Sequence, residues 1–229
     1  MARSRRVLLV GALVIGVAGC AVLAGLGTWQ VQRHFWKQDL LAAMEARLLG
    51  TPAALPDAPD PARDTFAPVQ VTGAYTGDEV LVMAARRGSG AGYRVIAAFE
   101  AEDGRRLLVD RGYIPAGART DPRPAQPATV TGNLHWPSET DRFTPAPDPA
   151  QGLWFARDVH AIAAHLDTAP VLVVLRDSDE VRPGALPQPL DTGGVPDNHR
   201  NYAITWFLLC AGWAGMTALF VSRIRRETA

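Results

Sequence analysis

Among the side chains of this sequence that could bind a metal or move a proton, the five histidines and two cysteines come first. Val159, Ile162, Ala163 and Leu166 recur at helical spacing. On that predicted helix His160 and His165 are five residues apart, so they point in different directions and make a poor metal pair. His135 is expected at a strand end, and His34 on the solvated side of a helix. Cys20 and Cys210 lie within long apolar runs, which leaves the polar middle of the chain without a disulfide or a cysteine-based metal site. His199 has different surroundings. Pro196-Asp197-Asn198 supplies a helix cap just before it, and His199, Tyr202 and Trp206 follow at i, i+3 and i+7. They form one polar and aromatic face on an otherwise apolar helix. Trp29, Gln30 and Arg33 lie within one turn at the end of the other apolar run. An interfacial aromatic belt, with a wet histidine and a snorkelling arginine, accounts for the same residues without any ligand. Familiar catalytic constellations are missing: there is no GxSxG, HExxH or phosphate loop, and the acidic residues show no spacing that selects a pair.

The elements that must position these residues follow from the charge pattern. Residues 7–27 and 202–222 carry no charge, and each is about 30 Å long as a helix, the thickness of a hydrocarbon core. Backbone polar groups find no water there, so both runs should be helical. Arg3, Arg5 and Arg6 precede the first run, and Arg223, Arg225 and Arg226 follow the second, which predicts cytoplasmic termini. Of the 23 acidic residues only Glu227 lies in a tail, so the middle is mildly acidic and should face outward. Neither this middle nor the short tails offer a nucleic-acid-binding face. The short tail before the first run leaves no room for a transit peptide, and Lys37 is the only lysine; both suggest a bacterial inner membrane. Val17-Ala18-Gly19-Cys20 resembles a lipobox and Ser4-Arg5-Arg6 faintly a twin-arginine signal. The apolar run continues past Cys20, however, which favours an uncleaved anchor. Small residues spaced four apart (Ala12/Gly16, Ala21/Gly25, Ala211/Gly215, Ala214/Ala218) would let the two helices pack closely. Packed so, they would bring Trp29, Gln30, Arg33 and His199 to one rim, a geometry suited to an amphiphilic, anionic cofactor such as haem.

The expected organisation is a cytoplasmic tail (1–6), a transmembrane helix (7–27), a juxtamembrane helix (28–49) and a linker (50–64). A β-rich periplasmic domain (65–182), a Pro/Gly-rich tether (183–198), a second transmembrane helix (199–222) and a cytoplasmic tail (223–229) complete it. Apolar residues at Trp29, Trp36, Leu40, Met44 and Leu48 mark the juxtamembrane helix. Short β-prone runs at 69–72, 80–83, 93–96, 107–109, 128–134 and 171–175, separated by turns, predict a compact antiparallel sheet or partial barrel. The fold class is therefore an α+β membrane protein, two transmembrane helices flanking an antiparallel β-rich extracytoplasmic domain with one or two short helices.

Three motifs then carry a resemblance. Leu26-Gly27-Thr28-Trp29-Gln30-Val31-Gln32-Arg33 followed by Trp36-Lys37, Val109-Asp110-Arg111-Gly112-Tyr113-Ile114-Pro115, and Asn198-His199-Arg200-Asn201-Tyr202-Ala203-Ile204-Thr205-Trp206-Phe207 resemble, in order, signatures of the Surfeit locus family of cytochrome c oxidase assembly factors. Asp110 stands where that family usually has asparagine, and Arg200 where an apolar residue is common. The resemblance implies a non-enzymatic assembly factor that holds haem a transiently and aids its insertion into the catalytic subunit of a haem-copper oxidase. A haem a synthase and the lipid bilayer would be further partners. It makes His199 the axial-ligand candidate and Tyr202, Trp206, Trp29 and Arg33 pocket candidates. The alternatives are a haem-free scaffold for an oxidase intermediate and a membrane-anchored periplasmic enzyme.

Overall fold

The computed structural model describes residues 2–193 and 196–226, with side chains from residue 6 onward. Arg3, Arg5, Gly194, Val195 and Glu227, which entered the reading of the tails and tether, lie outside the described residues or side chains. In chain order the elements are α1 (Ala2–Leu48), β1 (Ala53–Ala54), α2 (Pro61–Asp64), β2 (Pro68–Arg86), β3 (Gly90–Ala101), β4 (Arg106–Pro115), β5 (Gln126–Leu134), β6 (Leu153–Trp154), α3 (Val159–Leu166), β7 (Leu172–Ser178) and α4 (His199–Arg226). They fall into two compact units: residues 44–192, and residues 1–43 together with 193–229.

In the first of these units β2 pairs with β3 along one stretch and with β5 along another, and the order β2-β3-β4-β7-β5 returns to β2. Five strands thus close into a barrel, which removes the exposed edges an open sheet would have. Alternation along each strand produces two cores. Val71, Tyr75, Phe99, Leu107, Val109, Val130, Val173 and Leu175 fill the interior. Their neighbours Ile96, Ala98, Leu108, Leu172 and Val174 point outward and are covered by Ile162, Ala163 and Leu166 of α3 and by Trp154. That double burial explains why Leu107-Leu108-Val109 of β4 and Leu172-Val173-Val174-Leu175 of β7 are unbroken apolar runs. Two features differ from expectation. The runs at 69–72 and 80–83 belong to one long strand, whose register shifts between Tyr75 and Glu79 with Gly77 at φ +93°, a bulge rather than a turn. The sheet is also mixed: β7 pairs antiparallel with β5 but parallel with β4. The chain reaches β7 through α3 rather than through a hairpin, which permits the parallel ladder.

The motif Asp110-Arg111-Gly112-Tyr113 holds the chain segment that leaves the barrel. Arg111 is 1 % exposed, donates to Glu180, whose side chain is 4 % exposed, at 2.6 Å and lies over the Tyr75 ring. Gly112 adopts φ +110° with the Leu186 carbonyl packed where a Cβ would project, so only glycine fits. Tyr113 exchanges backbone hydrogen bonds with Leu186. Arg94, bonded to Asp110, also reaches Gln188. The Pro/Gly-rich stretch read as a tether is therefore pinned to the sheet along its first half. At the other end of the unit, the unpaired Leu48 carbonyl in the last turn of α1 accepts from buried Asn133 and from Arg176.

The second unit pairs the greater part of α1 with α4. Both helices contain stretches long and apolar enough to cross a membrane, with mean hydropathy 2.7 and 1.8 in their most apolar windows. The stretches expected as a transmembrane segment and its juxtamembrane continuation form one uninterrupted helix. Close packing uses glycines, as expected, though largely different ones. A side chain at Gly16 would strike Thr217, at Gly19 the Trp213 indole and at Gly27 the Phe207 ring, whereas Gly25 and Gly215 face open space. Large α4 side chains fit notches in α1. The same seam brings the cysteines together: Cys20 Sγ lies 3.9 Å from the Cys210 carbonyl, and Cys210 Sγ 3.5 Å from that of Cys20.

Candidate functional site

At the end of the helix seam His199 opens α4, and its position is over-determined. Its backbone N–H donates to Asp197 Oδ1 at 3.2 Å, which caps one of the orphan amides of the first turn. Its ring Nδ1 lies 2.8 Å from Gln30 Oε1 on α1. A carboxamide oxygen can only accept, so Nδ1 donates in this pair, and in the neutral ring that tautomer leaves the lone pair on Nε2. Nε2 has no protein partner among the described residues. An imidazole with one nitrogen held by a hydrogen bond and the other open has the preparation of a metal ligand.

Asp197 is the second centre of the site. Its Oδ2 accepts from His34 Nδ1 at 2.8 Å and from Gln38 Nε2 at 2.9 Å, and Lys37 donates to the adjacent Pro196 carbonyl. Burial pushes the Asp197 carboxyl upward, but hydrogen bonds from Gln38, the His199 amide and His34 outweigh it and hold the pKa below the usual carboxylate value. The charge stands at the positive end of α4, where it is favourable. Gln30, His34, Lys37 and Gln38 thus form a polar stripe on α1 that grips the entry to α4.

Of the residues singled out from sequence, His199 and Gln30 meet directly. Trp29 and Tyr202 are 54 % and 56 % exposed, which leaves their rings free to stack on a ligand, and Trp206 is half-buried. On helical spacing Trp29 and Arg33 share one face of α1, and Tyr202 and Trp206 share one face of α4. Arg33 packs on Trp36, its guanidinium carbon 3.9 Å from the ring centroid, rather than on Trp29. His34 departs from expectation: it is a ligand of the Asp197 carboxylate and not a solvated bystander. His34, Gln38 and Asp197 were not recognised from sequence as site residues. The available signal was the second stripe on α1, polar at i, i+4 and i+8, facing a Pro-Asp-Asn cap.

The barrel unit offers a rival cluster. Asp110, fully buried, accepts from Arg94 at 2.8 Å and Arg157 at 3.3 Å, and Arg157 also binds Glu139. His135 lies beside this network, stacked on Phe66, with its Nδ1 unpartnered among the described residues. Burial, reinforced by Arg157, pushes its pKa down to about 4. A neutral histidine with no hydrogen bond to Asp110 makes no acid–base relay. Among the described residues no group of three or more His, Cys, Asp or Glu could hold a metal ion.

Comparison with known proteins gives a consistent outcome. The model of the SURF1 family matches residues 17–211, from the first apolar helix into the last. A SURF1-like protein of Monosiga brevicollis is 34% identical over 211 residues, 83% of this chain and 80% of the relative. Surfeit locus protein 1 of Rattus norvegicus is 30% identical over 214 residues, 83% of this chain and 69% of that protein. Surfeit locus protein 1 of Homo sapiens is 29% identical over 216 residues, 82% of this chain and 70% of that protein.

Proposed function

The chain belongs to the SURF1 family, and on that premise we propose that it is an assembly factor for a haem-copper terminal oxidase. It holds haem a at the outer rim of a membrane and passes it to the oxidase's catalytic subunit. A haem a synthase would be the donor. The observation that carries this reading is the His199 imidazole, whose Nδ1 is engaged by Gln30 at 2.8 Å while Nε2 is open. One nitrogen donor on a half-exposed histidine fits the axial position of haem iron, and it fits poorly a tetrahedral metal, which needs further ligands. When bound, haem a supplies the redox iron of the recipient enzyme. This chain breaks no bond. Its residues orient and release. Gln30 sets the imidazole tautomer, Trp29, Tyr202 and Trp206 offer faces for the macrocycle, and Arg33 offers charge for propionates.

The apolar surface of the two long helices supports the same reading. Apolar side chains along α1 and α4, among them Val10, Val14, Val22, Leu208 and Leu219, are half or more exposed. Such a surface is tolerable against lipid and not against water. Arginine-rich ends of both helices favour a cytoplasmic side for the termini and a periplasmic side for the barrel of a bacterial inner-membrane protein.

Purification of variants from haem a-producing cells tests the proposal. His199→Ala should accumulate normally in the membrane yet carry little or no haem a. Trp29→Ala should retain less than wild type, and Tyr202→Phe nearly as much as wild type. Gln30→Leu should retain haem with weakened ligation, because the imidazole loses its orienting partner, a loss on the order of tenfold in affinity. Full haem occupancy in a stable His199→Ala protein would refute the ligand assignment and leave a haem-free scaffold.

A further inference from the structure

Where α4 enters the helix seam, a groove of about 420 Å³ opens on the side away from Trp29 and Tyr202. Val31, His34 and Phe35 of α1 and Arg200, Ile204 and Phe207 of α4 line it. The α4 wall is one stripe, with Arg200, Ala203, Ile204 and Phe207 at i, i+3, i+4 and i+7. Val31 and Phe35 stand one turn apart on α1. Arg200 and Tyr202, two residues apart, point to opposite sides of α4. The groove therefore has a cation at its mouth and apolar walls below it. That cation is exposed and has no carboxylate within ion-pair distance among the described residues. The nearest carboxylate in sequence, Asp197, is already held by His34, Gln38 and the His199 amide.

We propose that this groove binds an anionic phospholipid, whose phosphate pairs with Arg200 while one acyl chain lies along Ile204, Phe207, Val31 and Phe35. The proposal rests on the two helices spanning a membrane and is independent of His199 as an iron ligand. Charge and depth both select the occupant. Phe207 lies about 10 Å below Arg200 along α4, a direction that takes the chain from the headgroup layer into the hydrocarbon. A guanidinium matches phosphate through paired N–H donors and stays charged at the lipid–water boundary. An apolar partner helix would cover the walls and leave the arginine unanswered, whereas a phospholipid meets both. An acyl chain in the groove replaces another acyl chain, so the apolar contacts do not discriminate among lipids. The headgroup does. In a zwitterionic lipid the choline ammonium competes for the phosphate; in phosphatidylglycerol no such cation is present. One arginine at the membrane surface gives a preference of about fivefold.

The test places a photoreactive benzoylphenylalanine at Phe35 of the full-length protein in nanodiscs of equimolar phosphatidylglycerol and phosphatidylcholine. Mass spectrometry then identifies the captured lipid. The same probe at Val17, an exposed apolar position in the middle of the first apolar run, reads the bulk ratio. At low salt Phe35 should capture phosphatidylglycerol over phosphatidylcholine about fivefold beyond the Val17 ratio, and the excess should shrink as salt rises. Arg200→Gln should return Phe35 to the Val17 ratio without lowering the total lipid captured, and Arg200→Lys should keep most of the excess. Inorganic phosphate should weaken the excess no more than chloride does at equal ionic strength; stronger competition would assign the arginine to free phosphate and overturn the lipid site. A wild-type ratio at Phe35 equal to that at Val17, or an excess unchanged in Arg200→Gln, would overturn the proposal. So would capture of a second protein chain in place of lipid. Lipid capture at neither position would refute membrane insertion itself, and the proposal with it.

Discussion

Glu180→Ala is the sharpest stability test the barrel offers. In wild type the Arg111 and Glu180 side chains are 1 % and 4 % exposed, and the charged atoms are 2.6 Å apart. Arg111 Nε has no partner among the described residues, so the carboxylate and the face of Tyr75 carry its charge. Gln126 also donates to the same carboxylate, at 3.0 Å. Removing it leaves a buried guanidinium uncompensated, which costs about 3–5 kcal/mol. For a unit of this size each kcal/mol moves the melting temperature by about 2–4 °C, so the midpoint should fall by about 10 °C. Thermal unfolding of the full-length protein in detergent, followed by tryptophan fluorescence, reads that shift. Hydrogen exchange should quicken at Leu186 and Tyr113, whose backbone pairing depends on the pinned segment. The double replacement Arg111→Met with Glu180→Leu removes both charges and should lie within about 2 kcal/mol of wild type. A Glu180→Ala loss below about 1 kcal/mol would refute the assignment of this pair as the latch. Haem retention at the proposed site, which lies in the other unit, should not change.

Other expectations can be checked alongside. His135 has a folded pKa of about 4, below the ordinary histidine value of 6.5, because burial and the cations Arg157 and Arg94 outweigh Glu139 and Asp110. Between pH 6.5 and 4 the unfolded chain takes up a proton that the folded one refuses, so stability should fall as pH falls through that window. His135→Phe, which keeps the stack on Phe66, should flatten this slope, and an unchanged slope would remove His135 as its cause. Mild oxidation in membranes should join Cys20 to Cys210 within one chain, seen as a mobility shift lost in Cys20→Ser; no shift would contradict the helix seam. The same position separates anchor from lipoprotein, since Cys20→Ala should leave mass and membrane attachment unchanged. A periplasm-active reporter should be silent after Ala229 and active within residues 52–61, and the reverse would invert the topology.

Helix positions on the two apolar runs were legible without coordinates, because length, lack of charge and 3.6-residue periodicity are local properties. The same holds for α3, whose Val159, Ile162, Ala163 and Leu166 all face the core. The position of His199 was legible for a similar reason: a cap and an i, i+3, i+7 face are written within the eleven residues from Pro196 to Trp206. That Gln30 would share a rim with His199 was legible too, since it stands at the matching end of the other apolar run, but their hydrogen bond was not. Pairing across long separations was not legible. That the runs at 69–72 and 80–83 form one bulged strand, and that β7 slots between β4 and β5, depends on which backbone groups find partners in three dimensions. Nor could spacing tell which glycines meet the neighbouring helix. Small residues stand on several faces of α1, and only the fit of Thr217, Trp213 and Phe207 chooses Gly16, Gly19 and Gly27. Asp197 shows the limit most plainly. Alone it reads as a cap; its grip on His34 and Gln38 exists only because folding brings residues some 160 positions apart into hydrogen-bond range.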